Sequence, residues 1–260
     1  MECNRHECKC LAIDEYTPVN SCLRIMYMNA RSIGNKFNEI EEKLRGLRDI
    51  VHDLVITETR LDVGEEKFFG LKSYNSAFAS RPNEGGGGVA IYMLDSMKCS
   101  IIEKFSNENS FLGICVCSKD RKPVNIYAIY RKPNPNIDDF LTHMEKILDK
   151  SRQDTLILGD FNIDNSLNTS SSLNYFNTLE TYNFSKQNKS FPTRVTNTSS
   201  TVIDHVISNI LNIPTTISNI DDPLSDHNIL IIDFKNNPKT ELSSRVEEDS
   251  RPFRLERSSR

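Results

Sequence analysis

Hydrophobic positions along this chain switch between two periods. Leu23–Met28 is an apolar run of strand length, and Leu54–Thr57 is a second. Between them Phe37, Ile40, Leu44 and Leu47 recur at helical spacing, which predicts a helix over Asn35–Ile50. Val89–Met93, Phe111–Cys117 and Val124–Tyr130 read as strands, with Lys119–Pro123 suited to a hairpin connection. Asp138–Leu148 is an amphipathic helix, Leu156–Leu158 a buried strand and Leu173–Tyr182 a helix. Val202–Ser208 and Ile229–Phe234 are the last strands. Strands outnumber helices, and hairpins mix with helical crossovers. The pattern therefore predicts an α/β fold of two packed sheets with helices outside, not a doubly wound parallel sheet.

The flanks have a different texture. Residues 1–20 are polar and irregular and read as a disordered leader, and 237–260 as a polar tail or linker. One folded domain is left over 21–236. No apolar stretch reaches the roughly 18 residues of a membrane span. The first residues, Met1-Glu2-Cys3-Asn4-Arg5-His6, lack the apolar segment of a signal peptide. Seven scattered Cys predict reduced thiols rather than a disulfide framework. Cys3, His6, Cys8 and Cys10 are too cramped for a zinc knuckle and have no second pair at the usual distance. The net charge of −4 gives no global basic field, so nucleic-acid contact would have to be local.

The candidate chemistry sits where apolar runs end. Gly159-Asp160-Phe161-Asn162 follows Thr155-Leu156-Ile157-Leu158, and Ser225-Asp226-His227 precedes Ile229-Leu230-Ile231-Ile232. Asn29, Glu58 and Tyr130 likewise follow or close apolar runs. Sheets gather such ends on one rim, so distant residues can share a cleft. A carboxylate ending a buried strand, as Glu58 does, is costly unless paired, solvated or metal-bound. Acid, amide and imidazole together suit metal-assisted phosphodiester chemistry.

Three other readings fail. Asp160–Asp164 begins like a calcium loop, but Asn165 stands where the sharp turn needs Gly and Ser171 where the bidentate Glu belongs. Ser225-Asp226-His227 cannot be a hydrolase triad, because neighbours in extended chain face opposite sides. Gly85–Gly88 lacks the Lys-Ser/Thr of a phosphate loop and precedes a strand, so it reads as a mobile turn.

In order, Asn29-Ala30-Arg31-Ser32, Thr57-Glu58-Thr59, Gly86-Gly87-Gly88-Val89-Ala90-Ile91-Tyr92, Ile129-Tyr130-Arg131-Lys132-Pro133, Gly159-Asp160-Phe161-Asn162, Ile203-Asp204-His205 and Ser225-Asp226-His227 resemble the endonuclease/exonuclease/phosphatase superfamily. Within it the chain looks most like the apurinic-type endonuclease domain of LINE (non-LTR) retrotransposons, over about Leu23 to Phe234. The resemblance implies a four-layered α/β sandwich of two packed mixed β-sheets flanked by helices. It implies Mg²⁺, with Mn²⁺ as a substitute, held by Glu58 with help from Asn29, and Asp226 as a second metal ligand or supporting acid. Tyr130 would bond the scissile phosphate or the leaving oxygen. Asp160 would align or activate water, and Asn162 would hold that water and the phosphate. Asp204 would orient His227, which would contact phosphate or act as base. Arg31, Arg131, Lys189 and Arg194 are the candidate DNA contacts.

The implied activity is nicking of double-stranded DNA, leaving a 3′-hydroxyl and a 5′-phosphate. The implied setting is nuclear, with a reverse transcriptase domain of the same polyprotein as partner. An apurinic repair endonuclease, another phosphodiesterase or phosphatase of the superfamily, and a domesticated non-catalytic binding domain are the alternatives. Lys186–Thr201 is expected to overhang the rim as a hairpin loop, just before the strand carrying Asp204.

Overall fold

A computed structural model of the protein describes residues 23–47, 51–81, 86–117, 122–133, 136–164, 166–188, 191–210 and 215–234. The leader, the tail, Cys3, His6, Cys8, Cys10, most of Lys119–Pro123 and Lys189 lie outside them. Among the described residues no helix is long and apolar enough to cross a membrane.

The expected four layers are present. One six-stranded sheet runs β13 (Thr215–Ile220), β14 (Ile229–Phe234), β1 (Leu23–Asn29), β2 (Asp53–Thr57), β4 (Val89–Leu94) and β3 (Tyr74–Ala79). The other runs β5 (Lys98–Ser106), β6 (Ser110–Cys117), β7 (Val124–Tyr130), β8 (Asp154–Asp160), β12 (Asp204–Ser208) and β9 (Ser185–Lys186). A small hairpin pairs β10 (Arg194–Val195) with β11 (Ser200–Thr201), as the loop reading anticipated. Helix α1 (Phe37–Leu47) covers the first sheet; α2 (Ile137–Lys150) and α3 (Ser170–Thr181) cover the second.

The period of two explains the layering. Leu23, Ile25 and Tyr27 face the second sheet, while Met26 and Met28 face the α1 side. On the second sheet Val124, Ile126, Ala128 and Tyr130 point inward, and Tyr127 and Ile129 point toward α2 and α3. Each fully buried aliphatic side chain of this size contributes about 1.5–3 kcal/mol, so a one-residue slip of a strand would invert both layers at once. Each sheet has one parallel pair, β1–β2 crossed by α1 and β7–β8 crossed by α2, and its other pairings are antiparallel. Parallel pairing brings the ends of both members of a pair to the same rim.

Strands β3, β5, β9 and β13 were not read from the sequence. All four lie at sheet edges, where one side is unpaired and the apolar run is missing; β5 is exposed along most of its length.

One buried group opposes this packing. Asp53, at the start of β2, is fully buried, and neither of its oxygens has a hydrogen-bond partner among the described residues. Burial pushes its carboxyl up to about 8. A raised folded-state value means that stability is intact at acid pH and is lost as the pH climbs from the ordinary carboxylate range toward 8. Asp53→Asn removes that titration. The melting temperature of the variant, relative to wild type, should rise by several degrees between pH 5 and pH 8.5. Parallel melting curves across that range would show that Asp53 is not protonated in the fold.

Candidate active site

The inner face of the two sheets does not stop at the core. Continuing the same alternation, Asn29 at the end of β1, Tyr130 at the end of β7, Asp160 at the end of β8 and Asp204 at the start of β12 follow the inward positions of their strands. The registers align them: Asn29 lies opposite Thr57, Tyr130 opposite Asp160, and Asp160 opposite Asp204. Gly159 makes the β7–β8 register possible, because a Cβ there would come within 2.0 Å of the Ile129 carbonyl oxygen.

Asp204 is fully buried. One oxygen accepts the Tyr27 hydroxyl at 2.5 Å, and the other lies 2.8 Å from His227 Nδ1. Its backbone N–H donates to Thr193 Oγ1 at 2.9 Å. Burial pulls the His227 imidazole down, but the negative charge and hydrogen bond of Asp204, with Asp160 and Asp226 beyond, outweigh it and hold the ring up at about 9. For Asp160, burial and the charge of Asp204 push the carboxyl up to about 8.

Asn29 joins this half of the site to the other. Its amide nitrogen donates to Glu58 Oε1 at 3.0 Å and to Asp160 Oδ2 at 2.9 Å, while its oxygen accepts the Arg31 N–H. Glu58 follows β2 in a left-handed turn, φ 51°, and its second oxygen is paired with Arg60. Asp160 Oδ1 caps the Asn162 N–H at 3.0 Å, in an Asx turn that carries Asn162 to φ 48°. Burial and the charges of Glu58 and Asp160 hold the Tyr130 phenol well above its ordinary value.

Among the described residues one group could hold a metal ion: ligand atoms of Glu58, Asp160 and His227 all lie within 4.8 Å of one another. Two carboxylates suit a hard cation that keeps part of its water shell. Of the residues nominated for metal from sequence, Glu58 is in this group and Asn29 bridges its two carboxylates. Asp226 is not in it. Asp226 Oδ2 accepts Arg31 at 2.9 Å and Arg194 Nε at 2.8 Å. Burial would raise its carboxyl, but these two bonds hold it below the usual range.

The nominated DNA contacts also divide. Arg31 and Arg194 are partly exposed at the mouth. Arg131 is 6% exposed, donates to the carbonyls of Phe161 and Asn162 and lies 5.7 Å from the Phe140 ring centre. Asn162 returns a 2.7 Å bond to the Arg131 carbonyl. The β7 and β8 ends are thus tied to each other, and Arg131 is placed as scaffold rather than as a phosphate contact. The hairpin is fixed at its base: Val195 N–H donates to the Asp226 carbonyl and Asn228 N–H to that of Thr193.

Sequence reasoning missed Tyr27, Arg60 and Thr193. Tyr27 is an inward tyrosine in an otherwise aliphatic strand, and a buried hydroxyl needs a partner, which was the available signal. His205, inside the Ile203-Asp204-His205 motif, is fully buried between Tyr175 and the Val202 carbonyl, where burial pulls its ring down. It is a core histidine.

Tyr27→Phe should leave the fold intact and lower any activity that depends on His227. Removing a hydrogen bond to a charged partner costs about 1.5–3 kcal/mol, roughly a ten- to hundredfold loss in rate. Proton NMR of the imidazole checks the cause: the titration of His227 should move in the variant. An unmoved titration would detach Tyr27 from the site.

Residues 124–231 match the model of the Endonuclease-reverse transcriptase family. No curated protein sequence matches the chain. Among solved structures, the endonuclease domain of TRAS1, a telomere-specific non-LTR retrotransposon, is 15% identical with a TM-score of 0.67, covering 82% of this chain and 98% of that one. The AP endonuclease LMAP from Leishmania major is 10% identical with a TM-score of 0.64, covering 86% and 90%. D. rerio TDP2, complexed with single strand DNA product, is 10% identical with a TM-score of 0.58, covering 83% and 99%. At these identities the structural matches establish the shared fold. With the motifs and the matched segment, they make the chain similar to the endonuclease/exonuclease/phosphatase superfamily and, within it, to LINE-type endonuclease domains.

Proposed function

We propose that this protein is a divalent-metal-dependent DNA endonuclease that nicks one strand to leave a 3′-hydroxyl and a 5′-phosphate. The observation that carries the reading is the convergence of Glu58, Asp160 and His227 at one point, with Asp204 behind His227. Support comes from the kind of fold: similar structures include a retrotransposon endonuclease domain, an AP endonuclease and a protein bound to a DNA product.

The roles follow from charge. A cation held by Glu58 and Asp160 would screen the charge that builds on the phosphate oxygens. His227, kept cationic by Asp204, donates to a phosphate oxygen instead of removing a proton. A cation beside it would favour the ionised form of Asp160, which would then accept the proton of the attacking water. Asn162 and Tyr130 flank it as donors to the phosphate and the leaving oxygen.

The net charge of −4 is offset at the mouth, where burial, and then the charges of Arg31 and Arg60, lower the Lys36 ammonium below its ordinary value. Together with Arg194 these give a local basic rim for a DNA backbone. Double-stranded DNA as substrate, Mg²⁺ or Mn²⁺ as cofactor, a reverse transcriptase domain as partner and a nuclear setting complete the proposal.

Supercoiled plasmid should be nicked with Mg²⁺ and left intact with chelator. Glu58→Ala, Asp160→Ala and His227→Ala should each slow nicking by about 10²–10⁴ while still folding, as a cooperative melting transition would show. His143→Ala should matter little, since that ring stacks on Phe111 away from the cleft. Full nicking by Glu58→Ala would sink the assignment, and faster cutting of abasic than of intact duplex would favour a repair enzyme.

The hairpin should choose where the strand is cut. Replacing Val195–Ser200 by a short Gly-Ser turn should shift nick positions on an end-labelled duplex while sparing cleavage of a small phosphodiester. An unchanged nick pattern would make the hairpin a passive connection.

A further inference from the structure

Arg60 stands two residues after Glu58 and closes on it. The Glu58 carboxylate is almost wholly buried, and both its oxygens are engaged. Asn29 donates to Oε1, and the Arg60 guanidinium donates twice to Oε2, from Nε at 3.1 Å and from a terminal nitrogen at 2.5 Å. An ion pair of this geometry is among the stronger hydrogen-bonded contacts. It sits on the carboxylate that, with Asp160 and His227, makes the one group able to hold a metal among the described residues.

The backbone beneath the pair is fixed. Thr59 N–H donates to the Gly88 carbonyl and Arg60 N–H to that of Gly87. Gly87 and Gly88 have φ of 80° and 79°, and a Cβ on Gly88 would meet Thr59 Oγ1 at 2.4 Å. Glu58 and Arg60 are themselves left-handed, at 51° and 53°. Freedom therefore lies in the Arg60 side chain, which is one-third exposed at the mouth. Lys36 lies near it and repels it. Divalent and guanidinium charges facing one carboxylate also repel, strongly so at a few ångströms in a poorly solvated cleft.

We propose that Arg60 is a counter-ion that shares Glu58 with the divalent cation: it neutralises the carboxylate in the protein alone, and moves onto a phosphate oxygen of the DNA when cation and duplex enter together. The inference rests on the endonuclease reading and adds to it a residue that sets metal affinity and trades it against substrate grip. Arg60 would be a positioning residue, since its first partner is Glu58.

The test is Mn²⁺ binding to the free protein, by calorimetry or by the loss of the free-ion electron spin resonance signal. Arg60→Leu should bind Mn²⁺ about tenfold more tightly than wild type, and Arg60→Lys, which keeps the charge, should stay close to wild type. In Ca²⁺, Arg60→Leu should bind an uncut duplex several-fold more weakly. Thermal melting checks that both variants fold, as expected for a side chain at the mouth. Unchanged or weaker Mn²⁺ binding by Arg60→Leu would overturn the shared counter-ion, and unchanged duplex binding would overturn the transfer to phosphate. If wild type nicks DNA and binds Mn²⁺ while Arg60→Leu binds it no better, this inference falls and the endonuclease reading stands. If wild type does neither, both fall.

Discussion

A carboxylate with no access to water governs this site. Asp204 is buried at the seam of the two sheets, where an isolated charge would cost several kcal/mol. It is tolerated because a donor reaches each of its oxygens: Tyr27 from the first sheet and His227 from the segment before β14. Its effects spread outward from there. His227 is held cationic because the anion behind it is fixed. Asp160, directly across the β8–β12 ladder on the same face, meets a like charge and is driven toward its protonated form. Side chains facing each other across an antiparallel pair stand about 4.5–5.5 Å apart, close enough for that repulsion to matter in a dry setting. The acid–base character of the cleft is thus set from the core side.

Backbone geometry complements this. Seven non-glycine residues have positive φ among those described, and five of them, Arg31, Ser32, Glu58, Arg60 and Asn162, lie on the loops that leave β1, β2 and β8 at the rim. Such conformations cost about 1–3 kcal/mol each and persist where neighbours enforce them. Here the enforcing contacts are visible: the Asp160 cap on Asn162, the Asn29 oxygen on the Arg31 N–H, and the Gly87 and Gly88 carbonyls on Arg60 and Thr59. The strain turns side chains that would otherwise continue their strands into one cleft.

How much of this was legible in the sequence depends on what each feature needs from its neighbours. The central strands were readable because both faces are buried, so their apolar runs are continuous. The edge strands β3, β5, β9 and β13 carry no such run, since pairing on one side suffices to hold them. Asn29, Glu58, Tyr130, Asp160, Asn162, Asp204 and His227 could be named because each closes or follows an apolar run within a recognisable motif. Their partners could not. Asp226 beside His227 reads as one more acid, and only the fold shows that two arginines from distant loops claim it. Arg131 reads as a surface cation until α2 and the β8 loop close over it. Tyr27 and Arg60 lie outside any polar motif, and their importance appears only when the sheets bring Asp204 and the β2 turn to them.

The Arg31–Asp226–Arg194 bridge has one more implication. It is the side-chain tether between the β10–β11 hairpin and the loop after β1, and all three of its members are partly open to solvent. Mobile ions reach such a pair, and the screening length shortens from about 30 Å at 0.01 M salt to about 10 Å at 0.1 M. The backbone bonds at the hairpin base are neutral and feel this little. Ionic strength therefore tunes how firmly the hairpin base is tied to the loop after β1, adding a salt-responsive contact beside backbone bonds that salt leaves alone.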